Sequence, residues 1–174
     1  MMKAIEQFKQ VIILPNIPGY YFAGGAVRSL YTGEDINDFD VFCETQLVYN
    51  YLKLWLDDIG EVIFKSDNDT KYDVSGYKID LIKHVGSIDD TLDRFDFICT
   101  QFACYPDLKV ITRPDAVEDA FYKLISFNNT PEDPIGTYYR VFRYIDKGYL
   151  ITHLEQSKLL TLLGLEPRSF YDTY

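Results

Sequence analysis

The chain has 174 residues, 47% of them hydrophobic and 25% charged, which is the composition of one soluble globular domain and excludes an intrinsically disordered chain. Its net charge of −10 argues against extended binding of DNA or RNA, because such binding depends on neutralising many phosphates. No apolar run approaches the roughly 20 residues of a membrane span, and the N-terminus lacks the layout of a signal peptide, so we expect a cytoplasmic protein without a membrane partner.

Short strand and helix patterns alternate in the first half of the chain. The predicted elements are a helix over 3–10, a strand over 20–23, a helix over 26–31, a strand over 38–43, a helix from Thr45 to about Leu56, and strands over 61–65, 71–75 and 77–83. The spacing of Leu47, Tyr51 and Leu54 on the longest of these helices predicts that their side chains face the core.

Helical patterns dominate the second half. Ser87 caps a short helix that leads towards Phe97, a hairpin follows over 100–105 and 109–112, and helices are predicted over 116–127, 134–147 and 153–163. This order predicts an α/β (α+β) fold, with a mixed sheet flanked by helices and followed by a helical neck. We assign residues 1–126 to a head domain and 127–174 to a helical extension that packs on it. The leucine-rich last helix must dock on the head or on a second copy of the chain, which leaves a homodimer open.

The cysteine content indicates reduced thiols. Cys43, Cys99 and Cys104 are odd in number and form no Cys-x-x-Cys pair, which argues against a disulfide framework. The only two histidines lie far apart and lack ligand spacing, so a structural zinc site is not expected either. We expect three buried, reduced cysteines.

A glycine pair, an arginine and two aspartates form the most informative stretch. Gly24 and Gly25 stand between a predicted strand and a predicted helix, where glycine permits close backbone approach and the helix start offers free N–H groups to an anion. Arg28 lies one turn later and could bind a phosphate in a bidentate manner. Asp38 and Asp40 point to the same face of a strand, with Cα atoms about 6.6 Å apart. These features suit a site for metal ions and substrate phosphates.

A third carboxylate lies on another predicted strand. Asp80 points away from Ile79 and Leu81, and if its strand neighbours that of Asp38 and Asp40, three acids share one site. Three close carboxylates repel one another, and a bound cation is the natural compensation. Taken alone, an Asp-x-Asp pair, a glycine pair or a strand aspartate is usually structural; their combination in this order favours a functional site.

These motifs carry a family resemblance. The run 24–28 followed by Asp38-Phe39-Asp40 resembles the catalytic head of bacterial-type poly(A) polymerases and CCA-adding tRNA nucleotidyltransferases, in the polymerase-β-like nucleotidyltransferase superfamily. The run 94–100 is similar to the family's ribose-contacting motif, and 140–149 looks like the start of its helical neck. The likeness covers roughly residues 18–150, and the chain ends where family members continue into a body and tail.

The resemblance implies a function and its residues. It implies a nucleotidyltransferase that moves a nucleoside monophosphate from an NTP such as ATP to an acceptor hydroxyl and releases pyrophosphate. The acceptor would be an RNA 3′ end, as in tRNA processing, or a protein. The catalytic and metal-binding residues implied are Asp38, Asp40 and Asp80, with two Mg²⁺ ions that Mn²⁺ could replace. The nucleotide-binding residues implied are Gly24, Gly25 and Arg28 for the triphosphate and Arg94 and Asp96 for the ribose; Arg140 and Arg143 would contact nucleotide or acceptor.

Four positions depart from the family pattern. Ser29 replaces an Asp, Phe95 an Arg and Thr100 an Asn, and the apparent base-reading motif that starts at Glu132 ends in Gly136 in place of Arg. These departures put base selection and faithful CCA addition in doubt. They also keep a second hypothesis open, in which the chain is catalytically inactive and acts as a nucleotide-binding or protein-interaction module.

Overall fold

The computed structural model describes residues 2–11, 14–128, 131 and 133–165. The helices in these ranges are α1 (Met2–Val11), α2 (Gly25–Thr32), α3 (Gln46–Ile59), α4 (Ile88–Arg94), α5 (Pro114–Tyr122), α6 (Pro134–Asp146) and α7 (His153–Leu162). The strands are β1 (Tyr20–Ala23), β2 (Phe39–Cys43), β3 (Glu61–Lys65), β4 (Asp69–Val74), β5 (Tyr77–Val85), β6 (Phe102–Cys104), β7 (Val110–Thr112), β8 (Leu124–Ile125) and β9 (Leu150–Ile151). A short 3₁₀ turn covers Ile98–Thr100.

Seven of these strands form one mixed sheet in the order β3-β4-β5-β2-β1-β6-β7. β2 and β5 run parallel, and the other neighbouring strands run antiparallel. Helices α1, α2, α3 and α5 contribute side chains to the core on one face of the sheet, and α4 packs on the other face. The structure therefore confirms the mixed α/β fold that the sequence predicts.

Alternation along β2 explains how the strand serves two environments. Phe39, Val41 and Cys43 belong to the larger core, whereas Phe42 packs with α4 on the opposite face. Successive side chains of a strand point to opposite faces, so Asp40 shares the face of Phe42. The strand thus holds a carboxylate on the less covered side of the sheet while its other side anchors the core.

Several local predictions are confirmed with their mechanisms. Gly33 ends α2 in the left-handed conformation, with φ of 71°, as the sequence predicts from a glycine stop. The Thr45 side chain caps α3 by accepting a hydrogen bond from the Val48 amide. Ser87 caps α4 in a reciprocal arrangement with Asp90. Cys43, Cys99 and Cys104 are buried and free.

The predicted inner face of α3 is wrong. Leu47 and Leu54 are 81% and 70% exposed, and α3 buries Tyr49, Leu52 and Leu56 instead. Both sides of the helix carry apolar residues, so periodicity alone allows either side to face the core. Packing against the sheet buries the side opposite to the predicted one.

The predicted helix over 116–127 is too long. α5 ends at Tyr122 because Lys123 takes the left-handed conformation, with φ of 54°. The chain then forms β8, which pairs in parallel with β9 inside the extension predicted to be helical. Neither two-residue strand is visible in the sequence pattern, since each covers only one period of the alternation.

A second core joins the neck to the preceding segment. Phe97, Cys99 and Ile125 pack with Val141, Tyr149 and Leu159 of the neck. The cluster takes residues from both sides of position 126, so the division of the chain there stays a prediction. None of the helices in the described residues is long and apolar enough to cross a bilayer.

Candidate active site

Register partners bring two of the predicted carboxylates side by side. Asp40 of β2 lies opposite Asp80 of β5, and Asp80 in turn lies opposite Lys71 of β4. On the other side, Asp40 lies opposite Ala23 of β1. One row across the sheet therefore runs Ala23, Asp40, Asp80, Lys71, with a small apolar side chain beside the acids.

The carboxyl groups of this row repel one another in a partly buried setting. Burial first, and then the charges of Asp38 and Asp80, raise the pKa of Asp40 from 3.8 to about 7. Burial also raises the pKa of Asp80, although Lys71 partly offsets this. Asp38 is exposed and lies just before β2, which begins at Phe39, so it is not on the strand as predicted. The register thus places Asp40 beside Asp80, and Asp38 nevertheless acts on Asp40 through its charge.

Lys71 provides the cation that this cluster contacts in the structure. Its ammonium group donates a hydrogen bond to Asp80 Oδ2 and lies 4.0 Å from Asp69 Oδ2. Burial alone would lower the pKa of Lys71, but the hydrogen bond and charge of Asp80 raise it above its usual value. Asp80 Oδ1, by contrast, is buried with no hydrogen-bond partner.

The donor set fits a hard divalent cation. Carboxylate oxygens are the ligands that Mg²⁺ prefers, and the unpartnered Asp80 Oδ1 is a buried acceptor that a cation would satisfy. In the part of the chain that the structure describes, no three His, Cys, Asp or Glu side chains are already arranged as ligands of one ion. Lys71 holds Asp80 Oδ2, which leaves Oδ1 as the oxygen of Asp80 that could contact a cation.

The glycine turn lies directly against Asp40. Gly24 has φ of 82°, and a Cβ added to it would stand 3.4 Å from Asp40 Oδ2 and 3.7 Å from the Phe95 ring. A larger residue would be strained here and would crowd the carboxylate. α2 starts at Gly25 without a side-chain cap, and the first amides of a helix have no partner within the helix, so they could bind an anion. Gly24 and Gly25 are thus placed as the sequence predicts for a phosphate site.

Arg28 is placed differently from what its predicted role requires. Its side chain is buried, and the guanidinium lies 5.1 Å from the ring centres of both Tyr144 and Tyr149. It donates to Tyr144 Oη at 3.0 Å and pairs with Glu34 at 2.9 Å. Both aromatic partners come from the neck, so in this structure Arg28 joins α2 to the neck and its charged group faces protein instead of open solvent.

The predicted ribose segment lies between α4 and the neck. Asp96 forms an ion pair with Arg140 Nε of α6 at 2.6 Å, which brings together two residues that the sequence singled out separately. Arg94 contacts His84 Nδ1 at 3.2 Å on an exposed surface. Arg143 is exposed on α6. The segment therefore touches the site through Phe95, whose ring lies against Gly24.

The departures from the family pattern have local explanations. Ser29 is buried and donates to the Gly25 carbonyl at 3.0 Å. Thr100 donates to the Phe97 carbonyl at 2.6 Å. Glu132 lies outside the described residues, whereas Asp133 caps α6 by accepting from the Gly136 amide at 3.0 Å.

The sequence reasoning missed Lys71 although a signal for it exists. β4 and β5 form a hairpin in which Val74 lies opposite Tyr77, so the two-residue turn dictates that Lys71 faces Asp80. The partners of Arg28 carry no comparable signal, because more than 110 residues separate Arg28 from Tyr144.

A family model described as "Gad2: Gabija anti-defense 2 family protein" matches residues 2–123. None of the curated proteins matches the sequence significantly.

Solved structures of CCA-adding enzymes share the fold. The Thermotoga maritima CCA-adding enzyme complexed with tRNA is 20% identical, with a TM-score of 0.65, over 93% of this chain and 41% of that one. A CCA-adding enzyme in complex with CTP is also 20% identical, with a TM-score of 0.64, over 90% and 40%. The Bacillus stearothermophilus enzyme with CTP is 18% identical, with a TM-score of 0.60, over 90% and 41%.

The chain thus spans about two fifths of the length of these enzymes. At such identities the likeness shows the nucleotidyltransferase-type fold, which agrees with the resemblance that the motifs carry.

Proposed function

The chain belongs to the Gad2 (Gabija anti-defense 2) family, and from that premise we propose that it is a metal-dependent nucleotidyltransferase. It would move a nucleoside monophosphate from an NTP to an acceptor hydroxyl and release pyrophosphate. The observation that carries this proposal is the pairing of Asp40 with Asp80 on parallel neighbouring strands, with Gly24 in contact with Asp40. A phosphate-binding turn and a carboxylate cluster in contact are the two parts that phosphoryl transfer requires.

Each part of the site has a defined task. Asp38, Asp40 and Asp80 would hold Mg²⁺, which when bound would activate the attacking hydroxyl and offset the charge of the triphosphate. The first amides of α2, next to Gly24 and Gly25, would bind the β- and γ-phosphates, since a helix start favours anions. Lys71 would hold Asp80 Oδ2 and stay near the phosphates as a cation. These groups would orient the donor so that the leaving pyrophosphate faces α2.

Two solved structures with the same fold support the proposal. Solved structures with this fold include a CCA-adding enzyme with ATP and a tRNA nucleotidyltransferase with a primer tRNA and an incoming ATP analog. The name of the family refers to an anti-defence role. We propose that nucleotidyl transfer is the means of that action, with ATP or another NTP as donor and RNA or another hydroxyl compound as acceptor.

The decisive experiment replaces the acids without changing the fold. We expect Asp38→Asn and Asp40→Asn each to reduce transfer from α-³²P-labelled NTPs by about 100-fold or more, because either change removes a charged metal ligand. Asp58→Asn, an exposed acid of α3, makes the same charge change away from the site and should retain activity. Full transfer by both site variants would refute the proposal.

The contact between Lys71 and Asp80 favours a second candidate, a nucleotide-binding module without turnover. A fixed ammonium group on Asp80 would replace the metal ion and leave binding without chemistry. Calorimetric titration separates the transferase from the binding module. If the chain is a binding module, NTP should bind without Mg²⁺ and no product should form. The same result is then expected for Lys71→Met. The transferase expects Mg²⁺-dependent binding.

A further inference from the structure

A cavity of about 490 Å³ opens on the same face of the sheet as the carboxylates. Phe42, Ile82 and His84 line it from β2 and β5, and Arg94 and Phe95 line it from the α4 side. The residues given a task in donor binding above do not line this space; Arg94, which the resemblance implies for the donor ribose, lines it instead. Its volume falls within the roughly 300–1,000 Å³ of small-molecule sites, so it could hold one nucleotide.

The register places this cavity opposite the phosphate turn. β1 runs antiparallel to β2 with Ala23 facing Asp40, so Gly24 lies towards the start of β2. Phe42 lies two residues beyond Asp40 in the other direction, about 6.6 Å further along the strand. Asp40 therefore stands between the phosphate turn and the cavity. In an in-line displacement the attacking and leaving oxygens lie on opposite sides of the phosphorus, so the cavity is where the acceptor would stand.

The lining of the cavity is cationic in an acidic protein. Lys83 and Arg94 supply the positive charge beside His84, and among the described residues that line the cavity none is acidic, although the whole chain has a net charge of −10. The Lys83 ammonium is held by the carbonyls of Ser66 and Asp67 at 3.1 and 2.8 Å. Because these partners are uncharged, the positive charge of Lys83 is not cancelled by them, and it would attract a phosphate.

Two aromatic rings give the cavity an apolar wall. Phe42 and Phe95 meet edge to face, with ring centres 6.2 Å apart. The ring of Phe95 also lies against Gly24, so this wall of the cavity adjoins the phosphate turn. Aromatic side chains of this kind can stack a base. Cationic groups, an aromatic wall and this volume together match a phosphorylated nucleoside.

We propose that the acceptor is a small nucleotide, a second NTP or a mononucleotide, bound in the cavity lined by Lys83, Arg94, Phe42 and Phe95. This inference rests on the proposed transferase function. The ribose hydroxyl oxygen of the bound nucleotide forms a bond to the α-phosphorus of the donor NTP. The bond from that phosphorus to the bridging oxygen of the β-phosphate breaks, pyrophosphate leaves towards α2, and the hydroxyl proton passes to water. The product is a dinucleotide.

The overall charge favours a small acceptor over a long nucleic acid. A long strand needs several cationic contacts along its backbone, and each phosphate bound contributes to affinity through counterion release. The basic groups of the cavity suit one nucleotide, whereas the chain as a whole, at −10, would repel the rest of a strand. A protein acceptor would not require the local cluster of cations.

Binding stoichiometry tests the second nucleotide site without any turnover. Calorimetry with α,β-methylene-ATP and Mg²⁺ should give two nucleotides per wild-type chain. Lys83→Gln and Arg94→Gln should each weaken one of the two binding events by about tenfold, because each removes a charged hydrogen-bond donor. Lys109→Gln makes the same charge change at an exposed residue outside the cavity and should leave both events intact. Thermal denaturation checks that each variant is folded. A stoichiometry of one would overturn the proposal.

The reaction itself is tested with nucleotides alone. Incubation of the protein with α-³²P-labelled ATP, the other NTPs and Mg²⁺, without nucleic acid or extract, should yield a product whose phosphodiester label alkaline phosphatase does not release. Label that enters only added RNA, or only protein of an added extract, would overturn the small acceptor but retain the transferase. Absence of label with every acceptor would refute the transferase and this inference together.

Discussion

Asp40 shows how one side chain links the chemistry of the site to the stability of the fold. Its carboxyl group lies beside Asp80 and in contact range of the Gly24 turn. Burial and the charges of Asp38 and Asp80 raise its pKa to about 7. Since the pKa in an unfolded chain is close to 3.8, the folded protein binds a proton that the unfolded chain releases. The ionised form therefore destabilises the metal-free fold.

We predict that Asp40→Asn stabilises the metal-free protein in a pH-dependent way. Ionisation of the Asp40 carboxyl lowers the free energy of unfolding of the wild type. This loss of stability is absent below about pH 4, grows as pH rises from 4 to 7, and is complete above the folded pKa of about 7. At pH 8 the variant should melt roughly 3–6 °C higher than wild type, and the difference should vanish at pH 4.

Calorimetric melting curves at both pH values, with Asp58→Asn as the control for charge, test this prediction. Mg²⁺ should raise the Tm of wild type at pH 8 more than that of Asp40→Asn. An equal Tm difference at pH 4 and pH 8 would show that packing, and not charge, causes the effect.

Turns and caps account for most of the agreement at the level of single elements. α2, α3 and α4 begin or end where the sequence predicts, because their caps depend on residues within one turn of the helix end. The hairpin of β4 and β5 closes through Ser75 and Gly76, with φ of 54° and 87°. Both residues have positive φ, as in a type I′ turn, which favours Asn-Gly. Register in this hairpin sets the contact between Lys71 and Asp80.

We predict that Ser75→Asn stabilises the protein by about 0.5–1 kcal/mol, because Asn tolerates positive φ better than Ser. Gly76→Ala should do the opposite and destabilise it by about 1 kcal/mol or more, since Ala is strained at φ of 87°. Urea denaturation of the two variants measures both effects. If Ser75→Asn lowered stability, the turn would not control this hairpin.

The whole molecule holds two cores together through a buried cation. Arg28 lies between Tyr144 and Tyr149 and pairs with Glu34, which Lys123 also contacts at 3.3 Å. α2 thereby connects the larger core to the neck core. Because α2 also supplies the amides next to the phosphate turn, the packing of the neck bears on the geometry of the site.

We predict that Arg28→Met destabilises the protein by roughly 2–4 kcal/mol, because it leaves a partly buried carboxylate short of a partner and removes two cation–π contacts. Arg113→Met is the matched control. Arg113 pairs with Asp89 and Asp93 in an exposed setting, where an ion pair contributes about 0–1 kcal/mol.

Urea denaturation compares the two arginine variants. Arg28→Lys should recover only part of the loss, because Lys keeps the charge but not the planar fork. Equal effects of Arg28→Met and Arg113→Met would contradict a joining role for Arg28.

The sequence by itself determined the features that depend on neighbours along the chain. The need for glycine at position 24 follows from the strand-to-helix turn, and most element ends follow from caps. The mixed sheet followed by helices also follows from element order, and the fold confirms it.

Only the tertiary structure decided what depends on distant parts of the chain. The apolar residues of α3 allow two inner faces, and packing selected Leu52 and Leu56 over Leu47 and Leu54. Arg28 has the residue type of a phosphate ligand, yet partners more than 110 residues away hold it in the protein interior. The local sequence indicates which interactions a side chain is able to make. Its actual partner depends on the whole fold, because burial favours the arrangement in which the most polar groups have hydrogen-bond partners.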